Sequence, residues 1–171
     1  MGRVFWITGL AGAGKTTIGQ CLYKKIKSRK SNILYLDGDQ IREVFGNDLG
    51  YTREERFKGA MRNARLCELI AGQGIDVVCC TIAMFDEIRR WNRQNIPCYV
   101  EIYVKVSMEV LKKRDQKGLY SGIKEGTTED VVGMDLELDL PQNPDIILNN
   151  DGCESPESLA EQILSAISYE F

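Results

Sequence analysis

Nine residues near the start of the chain, Gly9-Leu10-Ala11-Gly12-Ala13-Gly14-Lys15-Thr16-Thr17, restrict its possible folds more than any other stretch. They follow an apolar run, Val4 to Ile7, and precede a helix-like run from Ile18 to Ile26. The pattern is G-x-x-x-x-G-K-[ST], whose glycines let consecutive backbone N–H groups turn inward around a phosphate with no Cβ in the way. The helix that follows points its positive end at the same anion. On the mechanics of this motif, Gly9, Ala11, Gly12, Ala13, Gly14 and Thr17 wall a triphosphate site. Lys15 reaches its outer phosphates, and Thr16 sets its hydroxyl on Mg2+. The alternative is a glycine-rich turn that merely joins a strand to a helix.

Around this motif, apolar runs alternate with amphipathic ones. Strands are expected at Val4 to Thr8, Ile33 to Leu36, Asp76 to Thr81, Tyr99 to Val104 and Asp145 to Leu148. Helices are expected at Lys15 to Ser28, Gln40 to Phe45, Arg53 to Ala71, Met84 to Gln94, Ser107 to Arg114 and Pro156 to Tyr169. Such alternation implies an α/β fold with a parallel sheet and helices on both faces. Thr52 with Glu55 reads as a capping box, and Ser155 before Pro156 as an N-cap with proline at the first helical position. The segment from Asp115 to Pro144 has no clear period and suits a lid.

At 171 residues, the chain is expected to form one domain. A net charge of −3 argues against a nucleic-acid partner, and no apolar run approaches a membrane span. Met1 leads directly into the first strand with no leader, so the cytoplasm is the expected location. The six cysteines fall mostly in apolar patterns without C-x-x-C spacing, and are expected to be small buried residues rather than a zinc site or disulfide frame. The chain contains no histidine, so any general base must be a carboxylate, a lysine or a tyrosine.

The second strand ends in Asp37-Gly38-Asp39, ahead of Arg42. Ligands of open parallel sheets bind beyond the carboxyl ends of the strands, so both acids should face the phosphate loop. Spaced by two in an extended chain, they would point to the same side. One could take a proton from an acceptor hydroxyl while the other holds Mg2+. A simpler use for Asp39 is as helix N-cap, and it could serve in both ways. Of the arginines at 53, 56, 62 and 65, Arg56 stands first as a fork for an acceptor's anion, close after Leu49-Gly50-Tyr51, with the others on a solvated face. Arg114 and Lys117 precede the irregular segment, as expected of cations that close over phosphates, although Arg114 could simply complement a helix C-terminus.

These motifs, taken with Lys117-Gly118-Leu119-Tyr120 and Pro141 with Pro144-Asp145, resemble the adenylylsulfate (APS) kinases from about Phe5 to Asp151. The resemblance implies a three-layer P-loop NTPase fold with a five-stranded parallel sheet and a lid at about 115 to 144. It also implies a homodimer, with ATP and Mg2+ as cofactors and transfer of the γ-phosphate to the ribose 3′-hydroxyl of a nucleotide. It assigns Lys15, Asp37 and Asp39 to catalysis, Thr16 and Asp37 to the metal, and Arg114 and Lys117 to ATP. It assigns Asp39, Arg42, Tyr51, Arg56, Ile82, Phe85, Lys117, Leu119 and Val131 to the acceptor. Four departures fall on that acceptor side. Gly59 stands for a usual asparagine, Ile82-Ala83-Met84 for Ile-Ser-Pro, Val131 for a stacking phenylalanine and Glu137-Leu138-Asp139 for Pro-Tyr-Glu. Phe85 or Met134 could compensate. Otherwise the acceptor is different, and kinases of cytidine diphosphoramidate belong to the same group. A regulatory GTPase would need an Asn-Lys-x-Asp that is absent here. A gluconate- or shikimate-type kinase, or a non-catalytic nucleotide-binding scaffold, shares the phosphate loop but explains less of the chain.

Overall fold

A computed structural model describes residues 1–114 and 139–169. Five strands, β1 (Val4–Thr8), β2 (Ile33–Asp37), β3 (Asp76–Cys80), β4 (Tyr99–Lys105) and β5 (Ile146–Asn149), form one sheet in the order β2-β3-β1-β4-β5. Each neighbouring pair is parallel, with Ile7 beside Cys80 and Ile102, and Asp37 beside Cys80. The described helices are α1 (Lys15–Lys27), α2 (Gly38–Val44), α3 (Arg53–Gly72), α4 (Asp86–Asn95), α5 (Met108–Arg114) and α6 (Pro156–Ala166). Among the described residues no helix is long and apolar enough to cross a membrane.

The layers follow from the two-residue period of the strands. Phe5 and Ile7 of β1, with Val78 and Cys80 of β3, pack under α1, α5 and α6 through Ile18, Leu22, Ile26, Leu111, Leu159 and Ile163. Val4, Trp6, Val77 and Cys79 face the other way, toward Ala60, Ala64, Cys67 and Ala71 of α3 and Ile88 of α4. Burying each Ile or Leu of α1 contributes about 1.5 to 3 kcal/mol, more than its share of helix propensity. The small residues along α3 let that helix lie close to the sheet. Both cap expectations hold. Thr52 and Glu55 exchange capping-box hydrogen bonds, and Ser155 Oγ accepts from the Ser158 amide with Pro156 opening α6.

Two expectations need correction. Helix α2 starts at Gly38, not Gln40, because Asp37 and not Asp39 is its N-cap; Asp37, at φ −113° and ψ 133°, accepts from the Asp39 amide. The cysteines also divide by environment. Cys67, Cys79 and Cys80 are buried, Cys21 and Cys98 are half-buried, and Cys153 is exposed in the turn before α6.

At the far end of the sheet from the phosphate loop, the buried Asp76 carboxylate accepts from the Arg3 amide and the Lys30 ammonium at 2.8 Å each, and from the Tyr169 hydroxyl. Burial alone would raise this carboxyl, but Lys30, Tyr169 and Arg3 together hold it below the usual carboxylate range. A depressed native pKa stabilises the fold above the ordinary range, and the gain is lost as pH falls through the native value. Asp76→Asn should therefore cost about 1 to 3 kcal/mol at pH 7, with the gap to the parent shrinking toward pH 3, as read by urea denaturation at both.

Candidate active site

The site lies beyond the carboxyl ends of β1, β2 and β3. After β1 the chain turns through Gly12 at φ 77° and Gly14 at φ 96°, left-handed conformations that only glycine adopts without strain. Gly14 then serves as the N-cap of α1. The loop is gripped from behind. Asn150, just past β5, donates from Nδ2 to the Ala13 carbonyl at 2.8 Å. Arg114, at the end of α5, donates to the Gly12 carbonyl at 3.2 Å and to the Asn150 carbonyl at 2.7 Å. Lys15 Nζ folds back onto the Leu10 carbonyl at 2.8 Å. Arg114 is thus a brace of the loop, a role beyond the dipole complement it could have played.

The acids divide their roles. Thr16 Oγ1 donates to Asp37 Oδ2 at 2.8 Å, and the Tyr35 hydroxyl donates to the same oxygen at 3.1 Å. Asp37 Oδ1 accepts from the Asp39 amide at 3.0 Å. Burial, reinforced by Cys80 and Asp37, pushes the Tyr35 phenol well up, so it stays a donor. Burial also pushes the Cys80 thiol to about 12, and it donates to the Lys15 carbonyl at 3.3 Å. Asp37 reaches the loop through Thr16, and because the chain is already helical at Asp39 the two acids are not spaced by two along an extended strand. Asp37 is 9% exposed, whereas Asp39 is at the surface. The Thr16 hydroxyl and Asp37 carboxylate are hard oxygens of the kind that suits Mg2+ alongside phosphate oxygens and water.

Among the residues expected to hold the acceptor, the Arg42 guanidinium donates to the carbonyls of Leu49 and Gly50, and its Cζ lies 4.3 Å from the centre of the Tyr51 ring. Arg56 donates from Nε to the Tyr51 carbonyl at 2.7 Å, with its Cζ 5.2 Å from the same ring. The two cations therefore converge on one exposed tyrosine. Phe85 is 8% exposed and meets Phe57 edge-on at 5.4 Å, with the Arg53 guanidinium 5.3 Å from its centre. Arg53 also pairs with Asp139 at 3.7 Å. Arg62 forms a two-pronged pair with Asp48 at 2.9 and 2.8 Å and stacks on Phe45. Arg53 and Arg65 are exposed, as a solvated face requires, whereas Arg62 is half-buried in its pair with Asp48. Ile82 is half-buried, its carbonyl taking the Thr8 hydroxyl. Lys117, Leu119, Val131 and Met134 lie outside the described residues.

Sequence reasoning missed Asn150, Tyr35, Phe57, Asn63 and Thr81. Asn150 and Thr81 sit just past strand ends, a position that could have marked them. Tyr35 precedes Asp37 by two on β2, the spacing that sets both on one side of a strand, whereas Phe57 and Asn63 act across folded elements and carry no local signal.

A parallel sheet, a glycine-cornered phosphate loop and an acid-bearing second strand define a P-loop phosphotransferase. The Adenylylsulphate kinase family model matches residues 1–149, and the chain belongs to that family. It is 41% identical to the cytidine diphosphoramidate kinase of Campylobacter jejuni over 96% of both chains. It is 34% identical to the adenylyl-sulfate kinase of Halothermothrix orenii, covering 95% of this chain and 88% of the relative. Its fold superposes on the Mycobacterium tuberculosis APS kinase CysC, solved with AMPPNP and APS, with a TM-score of 0.89, 26% identity and 98% coverage of each chain.

A Cβ on Gly14 would fall 2.5 Å from Asn150 Nδ2 in a left-handed backbone. Gly14→Ala should therefore weaken ATP binding at least tenfold in titration calorimetry, from about 1 to 2 kcal/mol of backbone strain plus the lost Asn150 tie.

Proposed function

We propose that this chain transfers the γ-phosphate of ATP to a ribose hydroxyl of a nucleotide carrying an anionic 5′ group, with adenylylsulfate as acceptor and the 3′-hydroxyl as its site. The observation that carries the reading is the 2.8 Å bond from Thr16 Oγ1 to Asp37 Oδ2, which joins the phosphate loop to the acid-bearing strand. Thr16 and Asp37 would hold Mg2+, which when bound neutralises charge on the donor phosphates. Lys15 swings from the Leu10 carbonyl to the γ-phosphoryl and, with the loop amides, stabilises the charge spread over it. Asp39, the exposed one of the two acids, orients the acceptor hydroxyl and takes its proton, while Asp37 ties the loop to α2. Arg42 and Arg56 turn from the loop carbonyls they now hold to the acceptor's anion, and the exposed Tyr51 ring offers a face for its base. Arg114 keeps the loop in shape, and Lys117 closes over the donor. A homodimer in the cytoplasm, built from one domain per chain, completes the reading.

Cytidine diphosphoramidate is the second acceptor, favoured by the 41% relative and by Gly59 standing where the adenylylsulfate enzymes usually carry asparagine. A coupled assay for ADP release with each nucleotide tests the reading. Lys15→Ala should lower kcat at least a hundredfold with an unchanged melting temperature, a loss of about 3 kcal/mol in transition-state stabilisation. Near-parental turnover in that variant would overturn the role given to the loop.

A further inference from the structure

Tyr35 stands on β2, an edge strand of the sheet, and is half-buried there. Two positions apart on a strand, Tyr35 and Asp37 share a face, the one toward α1. The Tyr35 ring is held on two sides. The Tyr23 ring of α1 lies 5.9 Å away at 52°, and a Cβ on Gly19 would stand 3.3 Å from Tyr35 Cε2 and 2.2 Å from Cys80 Sγ. Glycine weakens a helix interior, so Gly19 marks a place where α1 has to lie close to β2 and β3. That close approach carries the Tyr35 hydroxyl to the first turn of α1, 3.4 Å from the Thr16 carbonyl, and its hydrogen goes to the nearer, charged Asp37 Oδ2 at 3.1 Å.

Asp37 is fixed by donors of different origin. The Asp39 amide holds Oδ1 at 3.0 Å, while Thr16 Oγ1 at 2.8 Å and the Tyr35 hydroxyl share Oδ2. A hydroxyl has one hydrogen and two lone pairs, so Thr16, having given its hydrogen to Asp37, keeps its lone pairs for a cation. Where those lone pairs point depends on where Oδ2 sits. Thr16 is itself the group to be aimed, and the Asp39 amide holds the other oxygen. Among the described residues, Tyr35 is the donor that ties Oδ2 to the body of the sheet.

We infer that Tyr35 is a positioning residue for Mg2+, its hydroxyl keeping the Asp37 carboxylate in the orientation that frees the Thr16 lone pairs for the ion. The inference rests on the kinase reading above, in which Thr16 and Asp37 hold that metal. It separates the grip on the metal from the grip on the phosphates. Arg114 and Asn150 brace the loop at the Gly12 and Ala13 carbonyls, away from Tyr35, so removing the Tyr35 hydroxyl leaves those braces in place. A nucleotide without metal should therefore lose little affinity, and the metal-bound nucleotide should lose much more.

Calorimetric titration with AMPPNP, in saturating Mg2+ and in EDTA, tests this on the parent and on Tyr35→Phe, with a thermal melt alongside. The variant keeps the ring against Tyr23 and Gly19 and loses only the hydroxyl. The parent should bind AMPPNP roughly tenfold more tightly with Mg2+ than without it. Tyr35→Phe should lose roughly five- to twentyfold of affinity in Mg2+ and stay within about twofold of the parent in EDTA. An equal loss in both buffers would make Tyr35 a prop of the phosphate loop and overturn its role toward the metal. Unchanged affinity in Mg2+, or a variant with no melting transition, would overturn it too. A parent indifferent to Mg2+ overturns the role of Tyr35 and leaves the phosphate loop standing. A parent that binds AMPPNP in neither buffer sinks the kinase reading and the role of Tyr35 with it.

Discussion

The carbonyls of Gly12 and Ala13 are held from behind by Arg114 and Asn150, and the rest of the site depends on that grip. In a trans peptide the C=O and the following N–H point in opposite directions. Tying the Ala13 carbonyl to Asn150 therefore aims the Gly14 amide to the other side, where a phosphate would lie. Two left-handed glycines make the turn possible, but they also enlarge the unfolded ensemble, so the shape has to be held by contacts from elsewhere in the chain. Those contacts come from the end of α5 and from just past β5, far from the loop in sequence. The sheet order brings them together, with β4 directly beside β1 and β5 beyond it.

A second tie links the phosphate loop to the start of α2. Asp37 caps α2 with one oxygen and receives Thr16 and Tyr35 with the other, so the start of α2, the phosphate loop and the end of β2 move as one unit. The two arginines proposed for the acceptor are held differently. Arg42 and Arg56 rest on backbone carbonyls and on the face of Tyr51, contacts that an arriving anion can replace with charge-assisted bonds roughly twice as strong.

Much of this was legible along the chain. The strand-to-helix glycine motif located the phosphate loop, the alternation of apolar runs supplied the parallel sheet, and both cap signals marked true helix starts. The errors share a cause. Reading Asp39 as the N-cap assumed that β2 stays extended through Gly38, whereas α2 begins there and passes the cap to Asp37. Arg62 was assigned to a solvated face because nothing local marks Asp48 as its partner. Asn63 was passed over because one polar residue in a helical run looks exposed until Thr81 arrives from another element.

What the sequence by itself determined was the order of elements, the place of the phosphate loop and the chemical type of its residues, since these depend on short-range periodicity and on backbone freedom at particular glycines. Which carboxylate caps α2, what braces the loop, and which arginine of α3 finds an acidic partner were decided only by the tertiary structure. Those outcomes depend on hydrogen-bond partners distant in sequence, and a hydrogen bond forms only where packing has already set donor and acceptor about 3 Å apart.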